Sequence, residues 1–310
     1  MTEQLFRVKV VVALTALVLL GVLLGAGFFG WERLGSRPRR ALERALLQLS
    51  LPPFLLGVGL ACWGLFIEAD WLEVTRHEVR TDKWPATVRR RIALVSDFHV
   101  DRQSRALGEL ARVLRDAKVD VLVFAGDALN DREATALFRA SLGGLPARLG
   151  RVAVRGNHDV TRWADVDLFG AGVATELLSD APHLLDEGRL AFCGAPWGAL
   201  EGVERCLERA PAGALVVFTY HSPDLVEVVS PRPDLYLAGH THGGQIALPG
   251  YGALITMSRF DKKYEAGRKQ VRETTLFVNR GIGFEPGLPR LRLFARPELT
   301  LIDVVGTAAK

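Results

Sequence analysis

Cysteine is scarce: this chain of 310 residues holds only three. Cys62 lies in an apolar stretch, and Cys193 and Cys206 lack metal-type spacing, so the sequence predicts neither a disulfide framework nor a thiolate metal site. That suits a cytosolic catalytic domain. A charge excess of one sign is also missing. The 39 basic and 35 acidic residues leave a net charge of +4, too balanced for a protein built to grip nucleic acid. Nor are aromatic residues placed for base stacking, so no nucleic-acid partner is expected. No Gly-x-Ser-x-Gly turn occurs, which leaves a serine nucleophile without its usual setting. Internal repeats and low-complexity tracts are absent too.

Apolar residues are abundant. They make up 49% of the chain, and the excess is concentrated near the N-terminus. Val10 to Gly30 carries no charge and is long enough to cross a bilayer as a helix. Arg7 and Lys9 precede it as they would in a signal peptide, but the run is long for such a segment and no small-x-small cleavage site follows. A basic stretch comes next, with Arg33, Arg37, Arg39, Arg40 and Arg44 against Glu32 and Glu43, suited to anionic lipid headgroups. Leu51 to Ile67 is a second uncharged run, short for a span and opened by Pro52-Pro53. Residues 1–70 therefore read as a membrane anchor, and residues 71–310 as a globular domain. The positive-inside rule puts the arginine-rich loop in the cytoplasm. Two crossings would place the domain outside; one crossing, with Leu51 to Ile67 lying in the interface, leaves it cytoplasmic. The second arrangement is the one expected.

Beyond Trp71, strand-like runs recur at Arg91–Ser96, Val119–Ala125, Arg151–Arg155, Leu190–Cys193, Ala214–Tyr220, Leu235–Ala238 and Thr275–Asn279. Ser104–Ala117 and Glu133–Leu142 show helical spacing, with Leu107, Leu110, Ala111 and Leu114 on one face and Ser104 as N-cap. Nearly all-apolar strands separated by helices predict an α/β sheet covered on both faces, with antiparallel members late in the chain.

Each polar motif stands where an apolar strand stops. Asp97-Phe98-His99, Gly126-Asp127, Gly156-Asn157-His158-Asp159, His221 and Gly239-His240-Thr241-His242 follow five such strands. In α/β sheets, ligands gather beyond the carboxyl ends of the strands. Asp97 with His99, and His240 with His242, share a two-residue spacing that aims both side chains one way on extended backbone. Carboxylate, imidazole and amide oxygen without thiolate suit Mn²⁺, Fe or Zn²⁺. Seven candidate ligands are too many for one catalytic metal with an open position, and enough for two metals sharing a carboxylate. Taken singly, each residue has a plainer reading: Asp97 and Asp127 as helix caps, Asn157 in a left-handed turn, His158 on a solvated loop.

In order and spacing this set resembles the calcineurin-like metallophosphoesterases over roughly residues 90 to 305. Leu237 to Gln245, the Asn279-Arg280-Gly281-Ile282-Gly283 turn and the closing Arg296-Pro297-Glu298 are most similar to its membrane-associated bacterial branch. That branch includes phosphodiesterases and a UDP-2,3-diacylglucosamine pyrophosphatase of lipid A synthesis. The resemblance implies a four-layer αββα sandwich of two mixed sheets behind the membrane segment, and two divalent metal ions, Mn²⁺ first. It gives Asp97, His99, Asp127 and His242 to one metal, and Asp127, Asn157, His221 and His240 to the other. His158 would act at the reacting phosphoryl group, with Asp159 orienting its imidazole. Asn130 stands where an aspartate is common in the family.

A metal pair about 3.5–4 Å apart clamps attacking and leaving oxygens and generates hydroxide at neutral pH. The expected activity is therefore hydrolysis of a phosphodiester or pyrophosphate, on a lipid-linked substrate such as UDP-2,3-diacylglucosamine. The expected place is the bacterial inner membrane, cytoplasmic side, with membrane lipids as partners and no obligate protein partner. The alternatives are a broad-specificity phosphodiesterase or phosphatase acting outside the membrane, and a metal-free scaffold of the same fold. Arg155 and Arg280 offer themselves to a substrate phosphate or to packing. Arg290, Arg292 and Arg296 read as lipid-facing or solvated, and His77 and His183 have no assigned role.

Overall fold

The computed structural model describes residues 52, 55–101, 105–287 and 289–308. The chain divides into two compact units, Met1–Trp63 and Gly64–Lys310. In the first, the described residues 52 and 55–63 are helical, and the helix continues to residue 66. Val10 to Gly30 and Ser104 lie outside the described residues. Among the described residues, no helix is long and apolar enough to cross a membrane.

The second unit is built on two six-stranded sheets. Strands β1 (Glu73–Pro85), β2 (Arg89–Val95), β3 (Val121–Phe124), β4 (Gly150–Ala153), β5 (Thr175–Glu176) and β14 (Glu298–Ala308) form one, in the order β1-β14-β2-β3-β4-β5. Only the β14–β2 pairing in it is antiparallel. The other sheet contains β6 (His183–Leu185), β7 (Leu190–Gly194), β8 (Leu215–Thr219), β9 (Leu235–Ala238), β12 (Gly267–Val271) and β13 (Thr274–Val278), in the order β12-β13-β9-β8-β7-β6. Here β12 and β6 run antiparallel to their neighbours. A small hairpin, β10 (Ala247–Leu248) with β11 (Gly252–Ala253), stands apart.

Side-chain alternation stacks the layers. Ile92 and Leu94 of β2, Ile302 and Val304 of β14, Leu215 and Val217 of β8, and Leu235 and Leu237 of β9 share one buried cluster between the sheets. Ala93 and Val95 face the other way, onto Leu110 and Leu114 of α1 (Arg105–Ala117) and Phe138 of α2 (Thr135–Gly143). On the far side, Phe218 and Tyr236 meet Cys206 and Leu207, which belong to α4 (Val203–Glu208). The result is the mixed-sheet α/β sandwich expected. Strands β1 and β12 escape sequence reading because they are polar edge strands whose residues alternate with solvent.

One expectation is corrected here. Cys193 at the end of β7 and Cys206 in α4 form a disulfide, across a sequence separation of 13. Spacing could not announce it, because the pairing arises only when residues 195–202 fold α4 back onto the outer face of the sheet. Both cysteines are fully buried. Replacing both with serine is expected to lower unfolding stability by about 2–4 kcal/mol, seen as an earlier urea midpoint. An unshifted midpoint would show the bond to be mechanically idle.

Candidate metal centre

Five strand ends deliver the site. Strands β2, β3 and β4 of one sheet run into Asp97 and His99, into Asp127, and into α3 (Asn157–Arg162). Strands β8 and β9 of the other sheet run into His221, and into His240 and His242. Asn279, at the end of β13, ties the two sheets at this edge. Its amide nitrogen donates to Thr300 Oγ1 at 2.9 Å, and its oxygen accepts from Ser96 Oγ at 3.0 Å and from the Gly281 N–H at 2.9 Å.

The side chains gather into two groups, Asp97 with His99 and His242, and Asp127 with His221 and His240; in each, one ligand atom per residue lies within 4.8 Å of the others. Asp127 Oδ2 is 3.1 Å from His221 Nε2 and 3.6 Å from His99 Nε2, so it reaches into both groups. Asp127 Oδ1 accepts the His158 N–H at 2.9 Å, which sets the start of α3 beside that carboxylate. Asn157 Oδ1 is buried there without a hydrogen-bond partner.

Close backbone approach makes this convergence possible. A Cβ on Gly156 would sit 2.1 Å from Asp127 Oδ1, and one on Gly239 would sit 2.5 Å from Asp97 Oδ2. Asp97, His99, Asp127, His240 and His242 all take positive φ, between 43° and 72°. Each such non-glycine conformation costs roughly 1–3 kcal/mol, and clustering of this kind marks functional sites.

The donor set fits divalent cations. His99 Nε2, His221 Nε2, His242 Nδ1 and Asn157 Oδ1 are buried and make no hydrogen bond, the first two facing the Asp127 carboxylate instead, whereas buried polar atoms are ordinarily satisfied. The opposite nitrogens of two imidazoles are engaged. His99 Nδ1 lies 2.8 Å from Asn130 Oδ1, and His221 Nδ1 lies 2.7 Å from the Ala125 carbonyl oxygen. Such outer bonds orient a ligating ring and turn its free nitrogen inward. Asn130→Ala is accordingly expected to weaken metal affinity about 10–100-fold with little change in fold, by titration of the metal-stripped protein with Mn²⁺.

Charge tells the same story. Burial disfavours the His221 imidazolium, yet Asp127 and then Asp97 overcome it and hold the ring at about 10. Burial pushes His240 down to about 3, aided by His221, and also drives His242 well below the ordinary histidine range. Burial likewise lifts Asp97. Burial thus keeps His240 and His242 in the neutral form a metal ligand requires, while the carboxylates beside His221 favour positive charge.

Asp159 behaves otherwise than expected. Its carboxylate oxygens accept the N–H groups of Asp127 and Ala128, each at 2.8 Å, and of Gly156 at 2.9 Å, and do not touch the His158 ring. It braces the loop that carries Asp127. Burial and the neighbouring Asp127 raise it to about 7. The partner of His158 is instead Glu285, whose Oε1 lies 3.3 Å from Nε2. Burial opposes protonation of His158, while Glu285 and Asp127 raise it above the ordinary histidine value. No spacing in the sequence singled out Glu285. The same holds for Trp197, whose ring stacks on Tyr220 at 5.8 Å and lies 5.0 Å from that of His240.

The arginines are structural. Arg155 Nε bonds Glu176 Oε1 at 2.8 Å. Arg280 pairs with Glu298 at 3.0 Å and Glu73 at 2.9 Å, locking the Asn279–Gly283 turn to the closing Pro297-Glu298. Arg292, read as lipid-facing or solvated, is fully buried and donates to the carbonyl oxygens of Arg280 and Ala295.

The calcineurin-like phosphoesterase profile matches residues 90–244, and the chain belongs to that family. It is a metal-dependent phosphoesterase, a hydrolase, which sets aside the scaffold alternative. It is similar to the uncharacterized metallophosphoesterase YkuE of Bacillus subtilis, 29% identical over 265 residues, 78% of this chain and 88% of the relative. It is also similar to the phosphodiesterase YaeI of Escherichia coli, 29% identical over 254 residues, 77% of this chain and 91% of the relative. The UDP-2,3-diacylglucosamine pyrophosphatase LpxG of Chlamydia muridarum is 25% identical over 308 residues, 77% of this chain and 91% of that protein.

Proposed function

We propose that the chain is a membrane-anchored dinuclear-metal hydrolase of a phosphodiester or pyrophosphate carried on a lipid, with UDP-2,3-diacylglucosamine as the specific candidate. The observation that carries the chemistry is Asp127, whose carboxylate lies between two converging ligand groups. Asp97, His99, Asp127 and His242 would hold one cation; Asp127, Asn157, His221 and His240 would hold the other, with Mn²⁺ preferred and Fe or Zn²⁺ compatible. Bound cations polarise phosphoryl oxygens and acidify water. The protein does the rest. His158, with Nε2 beside Glu285, carries the proton that the departing oxygen needs. Asp159 and Asn130 keep the Asp127 loop and the His99 ring in place. Residues 1–70 serve as the anchor, through the uncharged Val10 to Gly30 run and the segment after it. The lipid substrate is supported by that anchor and by the similarity to LpxG.

A second reading concerns the side of the membrane, and the Cys193–Cys206 disulfide favours it. Such bonds persist in oxidising compartments and are rare in the cytosol. A domain outside the membrane would not meet lipid A intermediates, which are made on the cytoplasmic face. It would then be a phosphodiesterase or phosphatase of broader range.

One experiment separates the outcomes. Full-length protein stripped with chelator is reloaded with Mn²⁺ and given UDP-2,3-diacylglucosamine or bis-p-nitrophenyl phosphate. Release of UMP supports the lipid substrate. Turnover of the nitrophenyl diester alone supports the second reading. Hydrolysis that persists without metal would end the proposal.

A further inference from the structure

The segment around residues 291–295 joins two exposed apolar patches to the mouth of the site. On one side, Arg292 N–H donates to the Gly64 carbonyl oxygen at 3.2 Å, and Ala295 N–H donates to Glu68 Oε1 at 3.0 Å. On the other, Leu293 N–H donates to the Gln245 oxygen at 3.0 Å, and Ala247 N–H donates to the Leu293 oxygen at 2.8 Å. Phe66 and Ile67 thus lie on the stretch bonded to one side of the segment that carries Phe294, while Leu248, Tyr251 and Leu254 lie in or next to the β10–β11 hairpin bonded to its other side. All six are exposed, Phe66 at 76% and Tyr251 at 62%. Isolated exposed apolar residues need no explanation, but a band of six large ones on three hydrogen-bonded segments does.

The band carries a second mark. One of its rings and one aromatic ring a few residues past Ile67 each bear a cation: Lys262 Nζ lies 4.0 Å from the Tyr251 centroid, and Arg296 Cζ lies 3.8 Å from that of Trp71, which is itself 44% exposed. Aromatic rings edged by long basic side chains are the composition of a membrane–water interface. The hairpin follows directly on the His242–Gln245 turn, and Gln245 Oε1 accepts the N–H of Glu285, the partner of His158, at 2.8 Å.

We propose that this band, Phe66, Ile67, Phe294 and the tip of the β10–β11 hairpin, lies in the headgroup region of a lipid bilayer and holds the metal centre at the membrane surface. A bilayer is the occupant because the same chain supplies an uncharged, span-length run at Val10 to Gly30 and an arginine cluster after it, upstream of this face. The inference deepens the lipid-substrate reading and rests on its membrane anchor, but holds for either leaflet.

The test uses full-length protein in phosphatidylcholine/phosphatidylglycerol vesicles with brominated acyl chains. Cys62, the free and exposed cysteine, is changed to serine, and an environment-sensitive fluorophore is placed at Tyr251→Cys, Phe294→Cys or Glu187→Cys. Glu187 precedes β7, at the end of its sheet opposite the site, and its side chain is 82% exposed. Interfacial groups sit about 5–10 Å into the headgroup–acyl boundary, so labels at 251 and 294 are expected to lose about half their emission while 187 loses almost none. Equal, weak quenching at all three positions overturns the proposal. So does concentration-dependent shielding at 251 and 294 without bromine quenching, which would assign the band to a second copy of the chain. Quenching at 251 and 294 together with no UMP release leaves the docking face standing and removes the lipid substrate.

Discussion

Asp127→Asn is expected to leave one metal ion per chain or none in place of the proposed two, and to lower turnover on the order of a thousandfold. The substitution keeps the shape of the side chain and an oxygen to accept the His158 N–H, so the start of α3 should persist. What it removes is charge at the atom between His221 Nε2 and His99 Nε2. An amide oxygen is a weaker ligand, and an amide nitrogen turned toward either imidazole is no ligand at all. Elemental analysis of the dialysed variant, beside its rate on bis-p-nitrophenyl phosphate, gives the answer. Two ions still bound at an undiminished rate would mean that Asp127 is only a buried structural carboxylate.

The second large effect depends on the leaving group. His158→Asn should slow substrates that expel an alkoxide by about 10²–10⁴-fold, the usual worth of a positioned general acid. Esters of p-nitrophenol should lose much less, because that phenolate departs without help. His158 is suited to the role by position. Its Nε2 faces Glu285, and its ring packs edge-on to His99 with centroids 5.1 Å apart. Equal losses on both substrate types would show that the imidazole binds phosphate rather than delivering a proton. Glu285→Gln should reproduce part of the effect while leaving metal content intact.

Much of this centre is visible in the linear chain for a simple reason. Apolar runs of four or five residues that stop abruptly at Asp, Asn, His or Gly read as buried strands ending at a ligand edge, and β3 and β9 are fully buried throughout. The helix faces were legible too, since Leu110 and Leu114 of α1 are buried where helical spacing placed them. Other features were not. Glu285 reaches His158 from a loop 127 positions away, an Asp-to-backbone brace replaced the expected Asp159–His158 contact, and the cysteine pair closes through a chain reversal. Arg292 looked like a surface cation because nothing local shows that three carbonyl oxygens, those of Arg280, Ala295 and Gly283, surround it.

The amino-acid order alone determined the candidate ligand types, their succession along the chain and the strand ends that present them, because hydrophobic periodicity and residue chemistry are local properties. Only the tertiary structure decided which oxygen holds each imidazole, which carboxylate faces His158, and which carbonyl oxygens enclose Arg292. Such relations join segments more than 200 residues apart, as Thr75 with Glu298, separated by 223. Distance in space between such partners is set by how the two sheets pack, and no spacing along the chain encodes it.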